Sequence, residues 1–220
     1  MSKLSLLFEA ANLKTIRFNF TCFPWRTACK LPVAISRHTR IRSYGGKVEI
    51  RGELRPGMIR IGFDAVGIFD NKRSRSIWAN VGTVVFHGAA TLGHGTKISV
   101  GREGVLELGR NFTVTAESQI VANRRVSFGD DCLVSWDVLV LDTDFHRIVD
   151  SAGARMNDDA PVEIGKHVWI GCRSTILKGA VIPDDTVVAA GSVVTSGRLQ
   201  PGIVAGNPAR TVKPNVIWEQ

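Results

Sequence analysis

Residues 162–195 read VEIGKHVWIGCRSTILKGAVIPDDTVVAAGSVVT, and from Ile164 onward every sixth residue is a branched aliphatic: Ile170, Ile176, Ile182, Val188 and Val194. Two places ahead of each stand Val162, Val168, Ser174, Ala180, Thr186 and Ser192, all small or β-branched. A helix repeats every 3.6 residues and a strand every 2, so neither by itself sustains a strict six. The pattern predicts an all-β solenoid of triangular cross-section. Each hexad supplies one short strand and one corner, and three hexads close a coil. Each aliphatic then stacks on its counterpart 18 residues on, and backbone hydrogen bonds run between coils as in a parallel sheet. A sandwich or barrel would show alternation and turn signals every 8–12 residues instead.

Working outward, the same beat runs through Leu108, Val114 and Ile120, slips by two, and resumes at Phe128, Val134 and Val140. Ile61-Gly62 and Leu92-Gly93 read as single hexads in less regular sequence. Gly62, Gly93, Gly109, Gly129, Gly165 and Gly171 follow an aliphatic, where a corner needs positive φ or close backbone approach. Residues 63–78 (FDAVGIFDNKRSRSIW) and 142–161 (DTDFHRIVDSAGARMNDDAP) break the beat. They are expected to project as loops, where function tends to sit.

The expected organisation is a basic, aromatic cap segment over 1–47, the β-helix over 48–200 and a tail over 201–220, expected to be helical. Of the formal net charge of +8, all comes from residues 1–47, which hold nine basic side chains against Glu9. Two readings of that arm stay open: its aromatics cover the end of the solenoid, or it lies on an anionic bilayer surface. It lacks a nucleic-acid recognition signature. No apolar run reaches the roughly 20 residues of a membrane span, and Glu9 and Lys14 interrupt any secretion-signal core. Cys22, Cys29, Cys132 and Cys172 form no C-x-x-C pair. They read as buried small residues in a reducing compartment, hence a cytoplasmic protein, with the inner membrane face as the variant.

The segments I-G-K-H-V-W-I-G, A-A-G-S-V-V-T and A-G-N-P-A-R (205–210) resemble the hexapeptide-repeat acyltransferases, over roughly residues 48–213. Within them the chain looks like the bacterial O-acetyltransferases that modify capsule, lipopolysaccharide or small sugars. The resemblance implies a left-handed β-helix, a homotrimer with active sites between subunits, and acetyl-CoA as donor.

Acetyl transfer to a hydroxyl requires a base, an oxyanion donor and a groove for CoA. Of the five histidines, His146 lies in the 142–161 loop, at the position of the family's catalytic His, and is the expected general base. Its other nitrogen needs an orienting partner. Asp144 leads, Asp142 and the more distant Asp137 are further candidates, and a backbone carbonyl is equally open. By resemblance, Trp169, Gly171, Cys172, Ala190 and Thr195 line the pantetheine groove, while Arg210 and Lys213 meet the nucleotide phosphates. Relatives often carry Lys after that Thr; here Ser196 follows. Asn123, Trp136 and Asp137, with Asp142, are expected to meet a carbohydrate acceptor, Trp136 as a stacking face. Trp136 and Trp169 also read as packing side chains, and Arg210 and Lys213 as a solvated tail. Cys172 has no His beside it in sequence, so no covalent enzyme intermediate is expected.

Rival classes are an amino-sugar N-acetyltransferase, a non-catalytic β-helix scaffold, and a zinc-dependent γ-class carbonic anhydrase. The last shows an H-x-x-x-x-H pair, which this sequence lacks, and no metal is expected. A serine acetyltransferase would carry a long helical N-terminal domain unlike residues 1–47.

Overall fold

The computed structural model describes residues 11–64, 66–70 and 74–219. Parts of the basic arm (1–10) and of the 63–78 interruption (Ala65 and 71–73), and Gln220, lie outside the described residues. Three parallel sheets form the faces of a triangular prism. The first face runs from Val33–Ile35 through Phe112–Ala116 and Trp169–Ile170 to Gly202–Gly206. The second runs from Thr39–Ser43 to Val193–Val194, and the third from Lys47–Ile50 to Gly197–Arg198. Successive strands along the chain fall on successive faces, so every rung pairs with the rung one coil away.

The six-beat residues form the axis. On the first face Val114, Val134, Ile170, Val188 and Val204 stack in register; on the second, Ile98, Ile120, Val140, Ile176 and Val194 do so. The six aliphatics from Ile164 to Val194 are all buried, and so are the small residues two places before them. Burying each aliphatic contributes on the order of 1.5–3 kcal/mol. The 18-residue step holds only at the C-terminal end, where Thr175 faces Val193. Gln119 faces Leu139, 20 residues on, and Lys97 faces Gln119, 22 on. The extra residues sit at corners: Gly101–Gly104 in the longer coil, and Asn123–Arg124 in the next, which explains the two-residue slip between Ile120 and Phe128.

Corners are built from left-handed residues in columns. One column holds Asn111, Asp131, His167 and Asp185 (φ 53 to 58°); another runs through Gly95, Glu117, Asp137, Arg173 and Gly191. Of the glycines that follow an aliphatic, Gly62 has positive φ. Gly93 answers the other requirement: a Cβ there would collide with the Thr115 carbonyl of the next coil.

The solenoid starts earlier than expected, since the strands Val33–Ile35 and Thr39–Ser43 belong to its first coil. Ahead of them, the described residues form helix α1 (Leu13–Cys22) and the short helix α2 (Trp25–Ala28). Asn12 caps α1 by accepting from the Lys14 and Thr15 amides. The inward stripe of α1 carries Thr15, Phe18 and Asn19, all buried. Asn19 bonds both the N–H and the C=O of Val33, and Thr15 bonds both those of Ile35. The tail is β rather than helical: Ala209–Pro214 folds back antiparallel on Gly202–Gly206. Hydrogen bonding to the open last rung favours a strand there. Among the described residues no helix is long and apolar enough to cross a membrane.

Cys132 is buried, its thiol pushed up to about 12 by burial. The other cysteines depart from expectation: Cys22 and Cys172 are half-buried and Cys29 is exposed, because α1, α2 and the corner at Cys172 lie at the surface.

Candidate active site

The 142–161 loop leaves the solenoid at the corner between the second and third faces, between Leu139–Leu141 and Val162–Ile164. Its base is anchored by Asp142, which is fully buried. The two Asp142 carboxylate oxygens accept from the Asn123 and Arg124 amides of the preceding coil, both at 2.7 Å. Asp142 is therefore a staple between coils, with both oxygens occupied, and does not face an acceptor. Further out, the loop is a small hairpin closed by the Val149–Arg155 bridge, with Asp150 accepting from the Ala152 and Ala154 amides.

His146 is exposed on this loop. Its backbone is held twice: its N–H donates to the Asp144 carbonyl (2.7 Å), and its carbonyl accepts from Asn157 Nδ2 (2.8 Å). The Asp144 carboxylate does not meet the imidazole. It accepts from Lys178 Nζ at 2.6 Å and Asn157 Nδ2 at 2.8 Å, and these bonds hold its carboxyl below the usual carboxylate range. Lys178 also donates to the Asn157 and Asp158 carbonyls. One ammonium from the next coil thus clamps both limbs of the loop. Asp159 extends the brace, accepting from Asn123 Nδ2 at 2.7 Å. Burial raises its carboxyl, but the bonds from Asn123 and Thr143 with the charges of Arg155 and Lys178 hold it below the usual range.

Lys178, Asn157 and Asp159 were not legible as site residues. Lys178 left one trace, as a cation inside an otherwise uncharged hexad (STILKG), but its partners lie 20 or more residues away in sequence.

The expected residues fall into groups. Asn123, Asp142, Asp144, His146 and Thr195 share the corner between the second and third faces. Trp136, Asp137, Gly171, Cys172 and Ala190 occupy the corner between the first and second. There Arg173 donates its amide to the Trp136 carbonyl, Gly191 donates to the Cys172 carbonyl, and the Asp137 carboxylate lies 3.9 Å from the Arg173 guanidinium. Within one chain the second face separates the two corners. Trp169 lies on the outside of the first face, donating to Ser135 Oγ at 3.1 Å. The tail returns to it: Trp218 stacks on His167 with ring centroids 4.6 Å apart and lies 5.9 Å from Trp169. Arg210 and Lys213 stand exposed on the antiparallel strand.

The other interruption also ends at an imidazole. Ser74 donates to the Glu117 carboxylate and is linked at 2.7 Å to Nε2 of buried His94. Its single proton being given to Glu117, the Ser74 hydroxyl accepts from His94, so His94 is no base for it. Burial holds the His94 imidazole below its ordinary value, against the opposing charge of Glu117.

Fold and repeat together define a parallel β-helix of hexapeptide repeats, and residues 161–196 match the family model for the bacterial transferase hexapeptide (six repeats). The resemblance to the hexapeptide-repeat acyltransferases is borne out by its relatives. The polysialic acid O-acetyltransferase of Escherichia coli O1:K1 is 34% identical over 113 residues, 50% of this chain and 37% of that protein. The galactoside O-acetyltransferase of Escherichia coli strain K12 is 33% identical over 111 residues, 49% of this chain and 53% of that protein. The chain thus spans about half or less of these two relatives. Among solved structures, the polySia specific acetyltransferase NeuO is similar with a TM-score of 0.52 at 25% identity, covering 83% of this chain and 72% of that one.

Proposed function

We propose that this chain transfers an acetyl group from acetyl-CoA to a hydroxyl of a sugar in a bacterial surface polysaccharide or its precursor, with His146 as general base. The observation that carries the reading is the exposed imidazole of His146 on a loop clamped to the solenoid by Lys178, Asn157 and Asp144. The named activities of the relatives, O-acetyltransferases on carbohydrates, point the same way.

In this mechanism the imidazole takes the proton of the acceptor hydroxyl while its oxygen attacks the thioester carbonyl. A backbone N–H stabilises the tetrahedral oxyanion. Collapse expels the CoA thiolate, which recovers the proton from the imidazolium, and no acyl-enzyme forms. With the Asp144 carboxylate engaged elsewhere, the loop backbone sets the position of the ring.

The corner of Gly171, Cys172, Ala190 and Gly191 fits the thin pantetheine arm: Ala190 is exposed, and a Cβ on Gly191 would meet open space. Arg210 and Lys213 are then the phosphate partners, Trp169 and Thr195 flank the donor, and Asn123, Trp136 and Asp137 remain for the sugar. Base and donor groove lie on different corners of one chain, so the site is completed in a homotrimer in which one chain's loop meets its neighbour's groove. The exposed Phe145, Ile148 and Met156 on that loop are the apolar surface such a neighbour would cover. The thioester donor puts the reaction in the cytoplasm.

The test is a screen with labelled acetyl-CoA against capsular and lipopolysaccharide oligosaccharides and simple sugars. An alkali-labile ester supports the reading. An alkali-stable amide on an amino sugar would replace it with N-acetyl transfer, and no transfer by a CoA-binding chain would return it to a scaffold. Sedimentation equilibrium reads the trimer.

A further inference from the structure

The N-terminal cap has a second, outward face. On α1, Leu13, Ile16, Arg17 and Phe20 fall at i, i+3, i+4 and i+7, opposite the stripe that closes the solenoid. Three of these four are apolar and exposed: Leu13 at 83%, Ile16 at 47% and Phe20 at 40%. Trp25 of α2, 72% exposed, continues the stripe, with its ring 5.2 Å from that of Phe20. Isolated apolar residues on a surface need no explanation, but four in a continuous stripe at one end of a molecule do.

Beside the stripe lies a cavity of about 660 Å³ lined by Leu13 and by Lys14, Arg17, Arg37, Arg40 and Arg75. No carboxylate is among the described residues that line it. The sequence explains the imbalance: residues 11–47 hold eight basic side chains and no acidic one. Arg17 is fixed with its guanidinium 5.2 Å above the Tyr44 ring. Lys14 Nζ donates to the Arg37 and Thr39 carbonyls, and burial together with the nearby Arg75 charge holds it below its ordinary value. The cations are thus gathered by the fold against their mutual repulsion.

We infer that this end of the molecule is a docking surface for an anionic phospholipid bilayer. The Leu13–Ile16–Phe20–Trp25 stripe enters the headgroup boundary, and the Arg17, Arg37, Arg40 and Arg75 cavity receives lipid phosphates. Charge complementarity selects this occupant: an apolar stripe flanked by cations, with no carboxylate among the described lining residues, is the pattern of a helix lying in an interface. A neutral protein partner would need the stripe but not the cations. The surface is independent of the acetyl-transfer reading, because it lies at the other end of the solenoid from the strictly repeating coils, on residues that reading does not use.

The experiment is co-sedimentation of the full-length chain with phosphatidylcholine vesicles, with and without about one third phosphatidylglycerol. The expected result is at least about tenfold more binding to the anionic vesicles, lost in high salt. The variant R37E/R40E/R75E should lose that preference, and I16S/F20S should weaken binding to both, each with an unchanged melting temperature. Should I16S/F20S melt early, Trp25→Ser should likewise weaken binding to both. The blue shift of tryptophan emission on anionic vesicles seen for the native chain should be lost in that variant, which keeps the other four tryptophans. Equal partition into neutral and anionic vesicles, or no binding, overturns the inference. So does binding by a chain starting at residue 11 when the full chain binds nothing, which would assign the stripe to residues 1–10. Concentration-dependent self-association abolished by I16S/F20S, without vesicle binding, would assign it to a second copy.

Discussion

The two interruptions of the repeat make opposite use of an imidazole. The 142–161 loop stands away from the solenoid and leaves the His146 ring exposed; among the described residues its hydrogen bonds run through its backbone, to Asp144 and Asn157. In the 63–78 segment the described Ser74 meets an imidazole that is 3% exposed and links it to Glu117. An imidazole whose nitrogens are free to meet a substrate can move protons. One walled in beside a carboxylate and a hydroxyl holds structure. Under the proposed mechanism the difference separates a reacting loop from a packed one, although both appear in sequence as the same loss of rhythm.

The sharpest way to break this contrast is His146→Ala. It should reduce acetyl transfer by about 100-fold or more while the melting temperature stays put, since the ring is exposed; near-normal turnover would remove His146 from the mechanism. Next is Asp142→Ala, which strips the Asn123 and Arg124 amides of their buried acceptor. Chemical denaturation should show a loss of about 2–4 kcal/mol, and the corner carrying Asn123 should exchange its amide hydrogens faster. Lys178→Ala should lower kcat/KM about tenfold through misplacement of the loop. The profile of rate against pH should keep its shape, because the clamp does not touch the base.

The smallest effect concerns His94. Burial sets its folded pKa below the unfolded value of 6.5, with Glu117 and Asp70 pulling it up and His38 and Lys97 pushing it down. The unfolded chain therefore binds the proton more readily. His94 costs nothing above pH 6.5 and destabilises progressively as the pH falls below that value. Melting temperatures from pH 7.5 to 5 should fall more steeply for the native chain than for His94→Gln.

The C-terminal coils could be read from sequence because their corners are minimal, and an 18-residue period leaves no slack. The coils between Thr83 and Leu141 were blurred by corners such as Gly101–Gly104, which add residues without disturbing the stack. His146 was visible because it stands in the longest break of the repeat, at the position the resemblance implies for the catalytic His. Its brace was not, because Lys178 reaches Asp144 across 34 positions. Trp218 stacks 51 positions from His167, beyond any local pattern. The tail was misjudged as helical because nothing local signals an unfilled last rung. Asp142 looked like a substrate contact because its type suits one, and only burial reveals a carboxylate spent on amides.

The capping helix has one more consequence. A ladder of identical steps carries no instruction to stop, and its first step could accept a strand from any passing molecule. Thr15 and Asn19 occupy those sites with side chains, which cannot themselves be extended. Two residues of a ten-residue helix therefore block strand addition on the first face, ending there a ladder otherwise suited to further growth.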